Sequence, residues 1–150
     1  MTVTLLPATR DDADLCVRFM RGLYEHDEVL PDERAWAAAL VGLLEDEHLG
    51  RGWMIHLDGQ PVGYVVITFG YSLEFYGRDA FVDELTIDAP FRGKGIGRAV
   101  MEQIEMHLRP TGIRALHLEV EEGNEAARHL YESQGFTYRG HMHIMSKRME

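Results

Sequence analysis

An apolar strand that runs into a glycine-rich loop, and from there directly into an amphipathic helix, constrains this chain more than any other feature. Residues 84–97 read Glu-Leu-Thr-Ile-Asp-Ala-Pro-Phe-Arg-Gly-Lys-Gly-Ile-Gly. The stretch Arg92, Gly93, Lys94, Gly95, Ile96 and Gly97 brings a row of backbone N–H groups to a helix N-terminus, with little side-chain bulk around them. Unpaired N–H groups and the helix dipole then point at whatever sits there, which makes the loop an anion cradle. Arg92, Lys94 and Arg98 add positive charge to a chain whose formal net charge is −10. A loop of this kind in an acidic chain is built for a phosphorylated ligand.

Spacing separates the glycine loops that bind such ligands. A Walker loop needs Gly-x-x-x-x-Gly-Lys-Ser/Thr, so Lys94 followed by Gly95 fails. A dinucleotide fingerprint needs Gly-x-Gly-x-x-Gly, and Gly93, Gly95 and Gly97 are spaced wrongly for it. The remaining pattern, Arg92-x-x-Gly95-x-Gly97, resembles the pyrophosphate-binding motif of the GNAT superfamily of acetyl-coenzyme A-dependent N-acetyltransferases. A second motif carries the same resemblance. Residues 124–136 read Asn-Glu-Ala-Ala-Arg-His-Leu-Tyr-Glu-Ser-Gln-Gly-Phe, with the Asn, Leu-Tyr and Gly-Phe that members commonly hold at these separations. Local physics agrees: Asn124 is a good N-cap, Ala126, Ala127, Leu130, Tyr131 and Gln134 form one stripe, and Gly135-Phe136 is a helix stop.

Composition narrows the class further. The length of 150 residues suits one domain with a real core. No apolar run approaches the roughly 18 residues of a membrane span. A start without a basic and then apolar stretch, and the single cysteine Cys16, lead to the expectation of a cytoplasmic protein. The acidic balance argues against nucleic acid and favours a cationic acceptor, although it also serves solubility.

The order of elements is legible from period and punctuation. Residues 3–6 read as a strand, and Thr9 to Asp12 as a capping box opening a helix with the stripe Ala13, Cys16, Phe19/Met20 and Leu23. Pro31-Asp32 introduces a second helix through Trp36, Ala39/Leu40 and Leu43/Leu44. Residues 53–57 and 61–69 read as strands joined by a tight Asp58-Gly59 turn. Residues 71–78 read as an aromatic and charged connection, and 81–87 as the next strand. A helix over 97–108 follows, then a strand in which Leu116, Leu118 and Val120 alternate with His117, Glu119 and Glu121. After a helix over 124–134, residues 137–139 and 143–147 are expected to close the sheet. The sum is an α/β chain, a mixed, mostly antiparallel sheet with helices on both faces, which matches the GNAT order.

Acetyl transfer from a thioester to an amine needs a neutral amine, a donor for the carbonyl oxygen and a proton for the departing sulfur. The resemblance implies that Leu85, Thr86 and Ile87 lie along the pantetheine arm, with their backbone amides polarising the thioester. It also implies that the loop from Arg92 to Arg98, with Asn124 and Ala127, holds the coenzyme, and that Tyr131 protonates the sulfur. For the base, Asp83 and Glu84 match acidic positions in polyamine acetyltransferases. Glu119, in Leu118-Glu119-Val120, matches the glutamate of ribosomal-protein N-terminal acetyltransferases. Successive strand residues face opposite ways, so only one of Asp83 and Glu84 can enter the cleft unless a bulge intervenes.

Other residues have plainer readings. His141-x-His143 has same-face spacing but no third ligand, so no metal is expected. Cys16 reads as an inert core thiol. Tyr71, Phe75 and Tyr76 either wall an acceptor pocket or cover the sheet edge, and Glu25, Asp27 and Glu28 point weakly to a cationic substrate. The reading is an acetyl-CoA-dependent N-acetyltransferase acting on a small-molecule or peptide amine by direct attack in a ternary complex. The alternatives are a coenzyme A-binding sensor or partner module without catalysis, or an enzyme of protein N-termini or lysines. A homodimer through the C-terminal strand region is also expected.

Overall fold

The computed structural model describes all 150 residues, and they divide into two compact units, Met1–Leu118 and Glu119–Glu150. The first holds β1 (Val3–Pro7), α1 (Ala13–Leu23), α2 (Glu33–Leu44), β2 (Gly50–Leu57), β3 (Gln60–Ser72), β4 (Gly77–Ile87), α3 (Ile96–Leu108) and β5 (Ala115–His117). The sheet order is β1-β2-β3-β4-β5, antiparallel except for the parallel pair β4 and β5.

Side-chain caps mark the starts of the first two helices. The Asp12 carboxylate accepts from the Thr9 N–H at 2.8 Å ahead of α1, and Asp32 accepts from the Ala35 N–H at 3.0 Å to open α2. Asp58 and Gly59 both take positive φ, 50° and 84°, the primed turn that matches strand twist, and join β2 to β3.

Alternation along the strands sorts the core into two layers. Met54, Tyr64 and Val66 face α1 and α2 and pack with Cys16, Phe19, Met20 and Leu40. Their neighbours Trp53 and Val65 face the other way, where Trp53 stacks on His107 of α3 at 5.4 Å. On that side α3 buries Ile96, Val100, Met101, Ile104 and Leu108. Helices therefore cover both faces of the sheet.

Two expectations are corrected. The connection expected over 71–78 is half strand: Tyr71 pairs with Arg78 and Ser72 with Gly77, which leaves a short turn over 73–76 in which Tyr76 takes φ 69°. Cross-strand pairing overrides the turn-like composition there. The closing strands expected over 137–139 and 143–147 do not form, and β5 stops at His117 rather than running on to Val120. Met142, Ile144 and Met145 are exposed, so the tail has no buried face to fix a strand register.

The second unit is built on α4 (Glu125–Ser133). The Asn124 side chain accepts from the Ala127 N–H at 3.2 Å, and Arg128 pairs with Glu132 one turn on at 2.8 Å. Gly135, at φ 95°, ends the helix, and the Phe136 ring meets Tyr131 edge-on at 5.8 Å. The Arg128 guanidinium lies 3.7 Å over the Tyr138 ring.

Burial predicts where truncation matters. Met20→Ala, at a position 1% exposed, should cost about 2–5 kcal/mol in denaturant unfolding. Met106→Ala, 72% exposed, should stay within about 0.5 kcal/mol of the parent.

Candidate active site

The site grows from an irregularity in β4. Val66 pairs with Glu84 while the next residue of β3, Ile67, pairs with Val82, so Asp83 is an extra residue, a β-bulge. Val82 and Glu84 would otherwise share a face. The bulge turns Glu84 to the α1/α2 side, opposite Val82. It is the intervening irregularity that lets both acids reach one side: Asp83 and Glu84 both act electrostatically on Tyr24 of the segment after α1.

Glu84 is held from three elements. The Tyr24 hydroxyl donates to one carboxylate oxygen at 2.7 Å, and Trp36 Nε1 donates to the same oxygen at 3.2 Å. The Tyr64 hydroxyl donates to the other at 2.7 Å. Tyr64 is 1% exposed, and a buried phenol needs such a partner. Burial first, then the hydrogen bond and charge of Glu84, push the Tyr24 phenol well above its ordinary value; Asp83 and Asp27 add to this. For Tyr64 the order is burial, the Glu84 charge, then the hydrogen bond, in the same direction. These donors were missed in the sequence. A tyrosine inside the otherwise apolar run 62–67 was the available signal.

Beyond Phe81, β4 and β5 part. Their pairing covers only Asp79–Phe81 against Ala115–His117, so no strand flanks the outer edge of β4 along Leu85, Thr86 and Ile87. That edge leads through the turn Ala89–Phe91 to the glycine loop. Gly93 and Gly95 take left-handed φ of 76° and 81°, with Gly95 the N-cap of α3 and no side chain capping it. A Cβ at Gly93, Gly95 or Gly97 would meet nothing within 4 Å. Open space thus lies beside a helix start whose first-turn amides have no intrahelical partner, a fit for a pyrophosphate.

Arg92 does not face that space. Its Nε donates to the Ile87 carbonyl at 2.8 Å, and its Nη1 lies 3.6 Å from Glu25. Lys94 Nζ lies 5.8 Å over the Phe91 ring. Arg92 thus ties the loop to the end of β4 and to the segment after α1.

The remaining expected residues fall as follows. Asn124 spends its side-chain oxygen on capping α4 at Ala127. Tyr131 lies mid-helix with its phenol pushed upward by burial, so it stays protonated at neutral pH. Glu119 is exposed and lies past the end of β5. Tyr71 and Tyr76 are exposed, while Phe75 packs edge-on against His117 of β5 at 5.1 Å, covering the sheet edge. His141 and His143 are exposed. Burial and the Asp12 charge push the Cys16 thiol up to about 12, so it is an inert core group. No helix is long and apolar enough to cross a membrane.

Residues 14–136 match the model of the acetyltransferase (GNAT) family, and the chain belongs to that family. A thialysine N-epsilon-acetyltransferase of Bos taurus is 27% identical over 142 residues, covering 89% of this chain and 83% of that protein. An integron cassette protein from the mobile metagenome of Cole Harbour Salt Marsh superposes with TM-score 0.82 at 29% identity, over 97% of this chain and 90% of that one. A protein of Clostridium acetobutylicum, described as a predicted acetyltransferase with acetyl-CoA, shares the fold with TM-score 0.77 at 16% identity, over 97% and 96% of the two chains. The matches to two other curated relatives span only 17% and 61% of those proteins' length.

Two outcomes follow. Glu84→Ala leaves the buried Tyr64 hydroxyl without its acceptor and should destabilise the fold by about 1–3 kcal/mol in chemical denaturation. In an alkaline titration followed by phenolate absorbance, Tyr24 and Tyr64 should ionise only as the protein unfolds, and Tyr131 at higher pH than a free phenol. Their folded values lie above the unfolded one, so the stability they contribute is complete below about pH 10 and is lost as pH rises above it.

Proposed function

We propose that the chain transfers the acetyl group of acetyl-CoA to a primary amine of a cationic small-molecule or peptide acceptor, by direct attack in a ternary complex. One observation carries this reading. A single strand, β4, holds the anchored Glu84, then an edge with no flanking strand along Leu85, Thr86 and Ile87, and then leads to the bare N-terminus of α3. Acid, open strand edge and phosphate cradle thus follow one another along a short piece of backbone.

The roles follow from the chemistry. The first-turn amides of α3 and the loop from Gly93 to Arg98 hold the pyrophosphate, and the amides of residues 85–87 flank the pantetheine arm. Acetyl-CoA supplies an activated carbonyl. Tyr131, kept protonated, supplies the proton for the sulfur. Glu84 has its oxygens engaged by three donors, so it suits an electrostatic anchor for an ammonium group rather than a free base. Asp83, Asp27 and Glu84 acting together on Tyr24 support a cationic acceptor, in line with the amine that names the bovine relative. The proposal includes one working domain of residues 1–150, a cytoplasmic location, and a homodimer through the exposed apolar residues of the tail, Met142 to Met145.

The decisive measurement is thiol release from acetyl-CoA with thialysine, lysine, spermidine and an alanine-starting peptide. Turnover of at least one is expected; coenzyme binding with none turned over would leave a sensor module instead. Tyr131→Phe should keep stability and lose about 10²–10⁴-fold in turnover, with full retention reducing Tyr131 to a packing residue. Gly97→Leu adds bulk only in open space, so calorimetry should find weaker acetyl-CoA binding with unchanged unfolding. Light scattering at micromolar concentration reports on the dimer, and a monomer there would remove it from the proposal.

A further inference from the structure

We propose that His117, oriented by Asp79, is the group that takes the proton from the acceptor ammonium. The inference rests on the acetyl-transfer reading above and adds to it the proton acceptor, which the engaged oxygens of Glu84 leave unfilled.

Position is the first argument. His117 pairs with Phe81 on the last rung before β4 and β5 part, so the ring sits where the outer edge of β4 becomes free. Its face is the second. Ile67 and Val82 pair on the α3 side, so Phe81, Asp79 and their β5 partners His117 and Ala115 lie on the opposite side, the side to which the bulge turns Glu84.

The ring is also built into one state. His117 Nε2 lies 3.0 Å from Asp79 Oδ2, and both side chains are largely buried, 22% and 18% exposed. An ionised carboxylate can only accept, so Nε2 carries the hydrogen and Nδ1 presents its lone pair. Nδ1 makes no hydrogen bond and is not sealed from solvent. Phe75 at 5.1 Å and Phe81 at 6.1 Å flank the imidazole. Gly70 makes room for the Asp79 carboxylate: a Cβ there would come within 2.8 Å of Asp79 Oδ1.

The surrounding charges leave Asp79 as the ring's ionic partner. Arg78, on the other face of β4, stacks over Phe69 at 5.0 Å, and Arg114 lies against Gly77. Glu74 in the turn beside Phe75, and Asp83 and Glu84 further along β4, are the other acids on the elements around it.

The proton count closes. The N–H bond of the ammonium breaks and its proton goes to the Nδ1 lone pair, giving an imidazolium beside the Asp79 carboxylate. The freed nitrogen lone pair forms the C–N bond to the thioester carbonyl carbon. The C–S pair leaves on sulfur, which takes the Tyr131 proton; the second proton that the nitrogen sheds on becoming an amide restores the Tyr131 phenol through solvent, and Nδ1 returns its own proton to solvent. Among side chains, an imidazole is the one that ordinarily exchanges a proton between about pH 5 and 8.

The test is the pH profile of kcat/KM on the full chain, with saturating acetyl-CoA and whichever panel amine is turned over fastest. His117→Gln should lose about 10²–10⁴-fold and the acid limb with it, while acetyl-CoA affinity by calorimetry stays the same. Asp79→Asn and Gly70→Ala reach the dyad without altering the ring, and each should lower kcat and displace that limb. If His117→Gln does not fold, these two variants decide: a displaced limb supports the proposal, and an unchanged one overturns it. An active parent whose His117→Gln variant keeps rate and limb overturns this inference alone. A parent that acetylates no amine overturns the acetyl-transfer reading, and this one with it.

Discussion

One extra residue in β4 sets the direction of every side chain after it. With Asp83 inserted, Glu84 leaves the α3 face and enters the layer of Tyr24, Trp36 and Tyr64, while Leu85 takes the α3 side and keeps the sheet's alternation intact. A carboxylate turned into a partly buried layer costs free energy unless donors meet it, and here three do. The bulge and the donor set therefore depend on each other. Without the bulge the phenols have no acceptor, and without the phenols the acid has no reason to stay inside.

The same strand links packing to chemistry at its other end. Because β5 pairs with only a short part of β4, the remaining edge of β4 has no strand beside it, which elsewhere would be an aggregation hazard. Here the edge leads into a helix start that no side chain caps. Arg92 fastens this corner by bonding the Ile87 carbonyl and approaching Glu25, so the end of β4, the glycine loop and the segment after α1 share one guanidinium.

Much of the chain was legible in its sequence because its signals are local. The caps at Asp12, Asp32 and Asn124, the Asp58-Gly59 turn, the left-handed glycines of the loop and the apolar stripe of α1 depend on residues within a turn or two of each other. Those preferences act before any tertiary contact exists. Spacing within the loop and within residues 124–136 was likewise sufficient to separate one family of phosphate binders from two others.

Tertiary structure decided what depends on distant partners. Glu84 meets Tyr24, Trp36 and Tyr64 across sequence separations of 60, 48 and 20, and His117 meets Asp79 across 38. Nothing in the local pattern of either acid says which face it takes, because a bulge reverses the alternation and no propensity forecasts its position. The length of the β3–β4 pair and the absence of strands over 137–147 have the same origin: a strand exists only where a neighbour and a buried face reward it. The sequence by itself determined the loop, the helix boundaries and the family. Which side chains converge on the open edge of β4 was decided by the folded sheet, since only folding brings those separated residues within hydrogen-bonding distance.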